Sequence, residues 1–253
     1  MRITILGTGT SLGVPVIACN CQVCTSPDPR DNRLRSSIMV EDGNRRILVD
    51  AGPDFRQQML KHHVSNLDAV LLTHEHADHI FGLDDIRSFN WVRKAAMDIY
   101  CERRVILEIS NIFKYAFAEN RYPGTPQMKL IPIDNDPFLL QGMEVVPVRL
   151  FHHKLPVFGF RFGKFAYLTD FNRIDEPELS KLMGIEVLLI GALRKEAHVA
   201  HLSLTQAIDL IQLIAPQKTY LTHMSHEIGL HAKLITELPA GVEPAYDGLV
   251  LDI

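Results

Sequence analysis

The chain has 253 residues, 47% of them hydrophobic and 22% charged, with 26 basic against 30 acidic residues, a net charge of −4 and a pI near 6.3. That length can bury a substantial core, and ordinary apolar and charged fractions exclude a disordered chain. The acidic balance argues against broad nucleic-acid affinity, and no apolar run approaches the roughly 18–20 residues of a membrane helix.

MRITILGTGTSLGVP lacks the charged start, long apolar stretch and cleavage site of a signal peptide, so a cytoplasmic location is expected. RITIL (2–6) reads as a strand opening into a Gly-rich loop and then a cysteine cluster. SSIMV (36–40) and RRILVD (45–50) flank Asp42-Gly43-Asn44 and read as a hairpin. A helix is expected over 53–63, with Pro53 at its first position. DAVLLT (68–73) is a buried strand delivering the chain into HEHADH. Helical spacing covers 80–92 and 103–118, with MDIYC (97–101) between them as a strand. The Pro-rich stretch 119–137 is expected to be irregular. Residues 138–169 read as all β, EVLLIGAL (186–193) as a buried strand, 204–215 as a helix, TYLTHM (219–224) as a strand and 231–238 as a short helix. No repeat or linker interrupts this order, so one α/β domain with mixed sheets is expected over residues 1–253.

Metal ligands are the strongest chemical signal. Nine of the twelve histidines sit in four short stretches. His74-Glu75-His76-Ala77-Asp78-His79 ends a buried strand, and histidines at i and i+2 can converge on one cation while Asp78 and His79 face a second. Six residues cannot complete two coordination spheres. Polar groups that end other apolar strands supply the candidates: His152, Asp170 and His223, with the Asp170 carboxylate able to bridge two cations. The second cluster is Cys19-x-Cys21-x-x-Cys24. Without an export signal, three thiols at this spacing suit tetrahedral zinc better than disulfides. The fourth ligand must be remote, and His226 fits better than Cys101, which lies in an apolar strand.

Strand–HxHxDH, a later histidine, an aspartate after an apolar strand and a final LTH follow the ligand order of metallo-β-lactamase superfamily hydrolases. The chain resembles that superfamily, and specifically its PhnP-type phosphodiesterase branch, over nearly its whole length, from LGTGTSLGVP to AYDGLVLDI. The resemblance implies a four-layer αβ/βα sandwich with two mixed sheets and the metals at one edge. It implies that His74, His76 and His152 hold one divalent cation, that Asp78, His79 and His223 hold the other, and that Asp170 bridges. Asp50 in the VDAG turn matches an aspartate that steadies the histidine loop. His152 rather than His153 is taken as the ligand, because His152-His153-Lys154-Leu155 then fits the branch's pattern. CxCxxC with the second histidine of THxSH matches the branch's structural zinc site, which makes 19–24 a small zinc-binding loop. His201, in HLSLT, matches a histidine placed near the substrate phosphate and is the candidate proton donor. Asp78 and Asp170 are counted with it as catalytic.

His198 has no matching position. His62, His63 and His231 read as solvent-facing, and Arg33 and Arg35 as a solvated charge run. Gly7, Gly9 and Gly13 are expected to permit close backbone approach beneath the metals, not a dinucleotide fingerprint.

Two adjacent cations that activate a hydroxide suit hydrolysis of a small, cyclic phosphodiester such as a ribosyl 1,2-cyclic phosphate. Zinc, manganese and iron all suit such ligands, and a homodimer is compatible with the sequence. The alternatives are a tRNA 3′-processing endonuclease, against which the missing basic arm and the LRKEAH segment argue, and a thioester or lactone hydrolase. A non-catalytic metal-binding protein has no use for a separate proton donor.

Overall fold

Side chains of β1 (Arg2–Gly7) and β2 (Ser37–Asp42) alternate between two apolar interfaces, with Ile3, Ile5, Ile38 and Val40 on one and Leu6 and Met39 on the other. A sheet that is apolar on both faces must be covered on both. The computed structural model, which describes all 253 residues, shows how. β1 and β2 are joined by β3 (Arg45–Val49), β4 (Ala69–Leu71), β5 (Met97–Cys101) and β6 (Met128–Pro132). The second sheet takes β7 (Phe138–Leu140), β8 (Met143–His152), β9 (Leu155–Phe162), β10 (Phe165–Leu168), β11 (Arg173–Ile174), β12 (Val187–Gly191), β13 (Lys218–Thr222) and β14 (Val242–Pro244). The last strand, β15 (Val250–Asp252), returns to the first sheet beside β1.

The first sheet runs β15-β1-β2-β3-β4-β5-β6 and the second β11-β8-β9-β10-β12-β13-β14, with β7 on β8. Each is antiparallel on one side and parallel on the other, through β3–β6 and through β10, β12, β13 and β14. Three apolar clusters, of 21, 19 and 20 buried residues, fill the spaces between layers. The first packs the helix Phe55–Lys61 and its neighbours on sheet one, through Phe55, Met59 and Val70. The second joins the sheets through Ile5, Leu71, Phe160 and Leu189. The third packs the helix Leu204–Ile214 on sheet two, through Leu188, Ala207 and Ile211. Three interfaces make four layers, the αβ/βα sandwich with two mixed sheets. No helix is long and apolar enough to cross a membrane.

Several sequence expectations need correction. The helix expected over 53–63 is Phe55–Lys61, and the run 103–118 divides at Phe113 into Arg103–Ile112 and Lys114–Phe117. The stretch expected to be irregular contains β6, which ends in Pro132 at the edge of its sheet, where a missing N–H is tolerated. Arg33 and His231 are not solvated: each is only 2% exposed. Arg33 donates to Thr8 Oγ1 (3.1 Å) and to the Ala245 carbonyl (2.9 Å), and the His231 N–H donates to Asp31 Oδ1 (2.7 Å). These partners tie the segment after the cysteine loop to the C-terminal part of the chain. Gly52 decides how the VDAG turn meets the histidine loop, because a Cβ there would lie 1.9 Å from the Asp78 carbonyl oxygen.

Candidate metal centre

Parallel strands leave their C-terminal ends at one edge of a sheet, and here both sheets bring such ends together. Asp50 follows β3, Thr73 and His74 follow β4, Asp170 follows β10 and His223 follows β13. Asp50, Asp170 and His223 take left-handed backbone angles, with φ of 66°, 52° and 54°. Non-glycine residues rarely hold that conformation, and such strain gathers at functional sites.

The histidines share one arrangement. His79 donates from Nδ1 to Asp50 Oδ2 (2.7 Å), and His74 from Nδ1 to Thr73 Oγ1 (2.9 Å). Thr73 in turn gives its N–H and its hydroxyl to Asp50, at 2.9 Å each. His152 donates from Nδ1 to the Ala200 carbonyl (2.9 Å), and His223 from Nδ1 to Ser36 Oγ (3.2 Å), whose own proton goes to the Gly9 carbonyl. Four imidazoles are thus held by Nδ1, which turns Nε2 toward the cluster, the usual way in which neighbouring groups orient a metal-binding histidine, although His223 Nε2 also has the Thr10 hydroxyl at 3.2 Å. Nε2 of both His74 and His79 is buried without a hydrogen-bond partner. His79 Nε2 lies 3.2 Å from Asp78 Oδ2 and 3.0 Å from Asp170 Oδ2, close but off the direction a hydrogen bond requires. Groups that converge without bonding one another fit a shared cation.

Ligand atoms of Asp78, His79, Asp170 and His223 all lie within 4.8 Å of one another and could hold a metal ion. Asp170 also belongs to a second such group, with His152 and His201. The rings of His74 and His76 are 4.6 Å apart between centroids, and His152 lies 5.9 and 5.0 Å from them. Burial pushes the Asp170 carboxyl up, but the imidazoles of His223 and His79 outweigh burial and hold it well below the usual range. Burial disfavours charge on His79, yet Asp78, Asp50 and Asp170 raise its pKa well above the ordinary value. Three carboxylates around one imidazole are an environment that draws positive charge.

His201 stands beside this group. Its ring is 4.5 Å from His152 and 5.1 Å from His223, and its Nδ1 is 3.6 Å from Asp170 Oδ1. His198 lies 5.0 Å beyond His201, ring to ring, and accepts the Ala200 N–H at Nδ1 (3.2 Å). His153 is exposed and turned away by a left-handed φ of 57°, so His152 is the member of the pair that reaches the cluster.

The cysteine loop forms a second, separate cluster. Sγ of Cys19, Cys21 and Cys24 lie 3.3, 3.3 and 3.5 Å from His226 Nδ1. A tetrahedral zinc ion with ordinary bond lengths separates sulfur and nitrogen ligands by about 3.5 Å, so these residues fit it. The Cys24 N–H and the His226 imidazole lower the Cys21 thiol to about 6, while burial raises Cys24 to about 11. Cys101 is buried in β5 and takes no part. Replacing Cys21 by serine is expected to remove zinc and lower the melting temperature, because a structural zinc contributes directly to folding free energy. Elemental analysis beside a thermal melt reads both, and unchanged values would rule the cluster out as a zinc site.

Sequence reasoning missed the supports of these ligands: Thr73, Ser36 and the Ala200 carbonyl. A threonine directly before the first histidine, able to cap an aspartate, was the one signal available.

The family described as the beta-lactamase superfamily domain matches residues 45–224. An octanoyltransferase of Porphyromonas gingivalis (strain ATCC BAA-308 / W83) is 43% identical over 98% of this chain, but the chain spans only about half (51%) of that relative's length. Among solved structures, a diphosphatase from the PhnP family is 37% identical, with a TM-score of 0.93 over 100% of this chain and 97% of the other. The zinc-bound PqqB of Methylobacterium extorquens has a TM-score of 0.82 at 21% identity over the full length of both chains, a likeness of fold.

Proposed function

The chain belongs to the β-lactamase superfamily, alongside the PhnP-family diphosphatase, and from that premise we propose that it is a cytoplasmic, dinuclear-metal phosphodiesterase acting on a small phosphodiester. The observation that carries the reading is the shared position of Asp170 in two groups of converging ligand atoms. His74, His76 and His152 would hold one divalent cation, Asp78, His79 and His223 the other, and Asp170 both. When bound, such a pair supplies an activated water nucleophile and offsets charge on the phosphoryl oxygens.

The protein's own residues do the rest. Asp50 and Thr73 fix the ring orientations of His79 and His74. His201, beside Asp170, would give a proton to the departing oxygen, and His198, next to it, would offer a further donor. A small cyclic phosphodiester, such as a ribosyl 1,2-cyclic phosphate, suits this layout. So does a disubstituted diphosphate, in which each phosphorus is a diester; the PhnP-family neighbour is a diphosphatase. A second reading is hydrolysis of an acyl thioester. Its support is the octanoyltransferase name of the P. gingivalis relative, which belongs to a protein about twice as long.

Protein purified without chelator should contain about three metals per chain, two in the His/Asp cluster and one zinc. Turnover of bis-p-nitrophenyl phosphate, a ribosyl cyclic phosphate and a dinucleoside diphosphate should be compared with that of an octanoyl thioester, nitrocefin and a precursor tRNA. Turnover of the phosphodiesters alone supports the proposal. Turnover of the thioester alone would replace it with the second reading, and a single bound metal would sink the dinuclear assignment.

A further inference from the structure

Glu75 lies between two candidate ligands, and in a locally extended segment alternate side chains point to opposite sides. His74 and His76 turn to the cluster, while Glu75 turns the other way and pairs with Arg104, at the start of the helix Arg103–Ile112. Arg104 does not stop there. Its Nη2 donates to the Pro156 carbonyl of β9, and its Nε lies 3.0 Å from Glu102 Oε2. Glu102 also takes both guanidinium N–H groups of Arg149, in β8, at 3.1 and 2.7 Å. Arg149 is stacked 3.9 Å over the Phe158 ring of β9.

The row Glu75–Arg104–Glu102–Arg149 therefore crosses from the first sheet to the second. On the second sheet it meets the hairpin that carries His152. Pro156 is the cross-strand partner of Phe151, and Arg149 lies three residues before His152 on the same strand. Two charges of each sign balance within the row. All four side chains are about three-quarters or more buried, so screening by salt is reduced.

We propose that Arg104 is a positioning residue for the His74, His76 and His152 metal site, setting the distance between the loop that offers two of these ligands and the strand that offers the third. The inference rests on the dinuclear reading above but not on any substrate. A guanidinium suits the task because its planar fork can serve a carboxylate and a carbonyl at fixed angles, which an ammonium cannot do. Arg104 touches no candidate ligand, so its effect must pass through Glu75 and Pro156.

The test is metal affinity in the absence of substrate. Wild type, Arg104→Met, Arg104→Lys and Glu75→Gln are loaded with Co²⁺ and titrated with a competing chelator, and the melting temperature of each metal-free form is measured alongside. Thiolate-to-cobalt absorption marks the cysteine site, and the weaker bands of nitrogen and oxygen ligands mark the other. Loss of a group bonded directly to a metal ligand commonly weakens metal binding about 10–100-fold, and Arg104→Met, one contact further out, should lose about 10-fold at one of the two His/Asp sites, with the thiolate bands unchanged. Arg104→Lys should recover little of the loss. Glu75→Gln should move affinity in the same direction and keeps the question open to refutation if Arg104→Met does not fold. A lower melting temperature with wild-type cobalt affinity would make the row merely structural and overturn the proposal. If wild type takes cobalt only at the thiolate site, the dinuclear reading and this role fall together; if wild type fills both His/Asp sites and the variants do too, only the role of Arg104 falls.

Discussion

Asp170→Asn should abolish turnover while leaving the chain folded. The carboxylate belongs to both groups of converging ligand atoms, with Oδ1 3.0 Å from His223 Nε2 and Oδ2 3.0 Å from His79 Nε2. An amide keeps the shape, but one oxygen becomes an NH₂ that cannot act as a ligand, and the negative charge is gone. The side chain is buried, and its carboxyl is held ionised by His223 and His79 against the cost of burial. Metal assistance is worth several kcal/mol in the transition state, so turnover should fall by about 10³-fold or more. Two of the three metals expected per chain should bind more weakly, while the cysteine-site zinc stays. Because His223 and His79 favour the ionised carboxyl in the folded chain, losing that charge also removes a stabilising contribution, and the metal-free melting temperature should fall without loss of the fold. Near-normal kcat with full metal content would show that Asp170 does not bridge.

Most central strands and the candidate ligand residues were legible because both follow local rules. Continuous apolar runs gave β4 and β12, and the alternation around Gly163 gave the β9–β10 hairpin. Histidine and aspartate at the ends of apolar strands gave His152, Asp170 and His223, since polar groups in such places need a reason to be there. Residues whose roles depend on distant partners were not legible. Arg33 looks like any arginine in DNRLR, and only the fold supplies Thr8 and Ala245 to receive its guanidinium. His231 opens a helix that reads as amphipathic, but Asp31, two hundred residues earlier, takes its backbone N–H, and Arg33 and Tyr246 lie against its ring. Glu75 looks like a spacer in HEHADH until the helix starting at Arg103 is placed beside it. Contacts between remote segments arise from how the two sheets pack, and no local pattern encodes them.

The His201 reading predicts a loss that depends on the leaving group. An alkoxide has a conjugate acid far above neutrality and needs a proton as it departs, whereas p-nitrophenolate leaves without one. General-acid help is commonly worth about 10²–10⁴ in rate. His201→Ala should therefore lose most of its kcat/KM on a ribosyl cyclic phosphate and much less on a p-nitrophenyl diester. A diphosphate should resemble the p-nitrophenyl diester, because its phosphate leaving group has a conjugate acid of pKa about 6 and is as weakly basic. Burial and the neighbouring His223 push His201 down to about 3 in the unliganded cleft, so it is neutral there. A phosphodiester anion held beside it works the other way and favours the imidazolium form, so His201 would take up its proton from solvent as the substrate binds. His74→Ala, which removes a metal ligand, should damage all three substrates alike. The ratio of kcat/KM values between substrates, taken for both variants, converts directly into differential transition-state stabilisation. Equal losses across the three for His201→Ala would make the residue a phosphate-binding or ligand group, in keeping with its place beside His152 and Asp170. No loss on any of them would leave it without a part in the reaction.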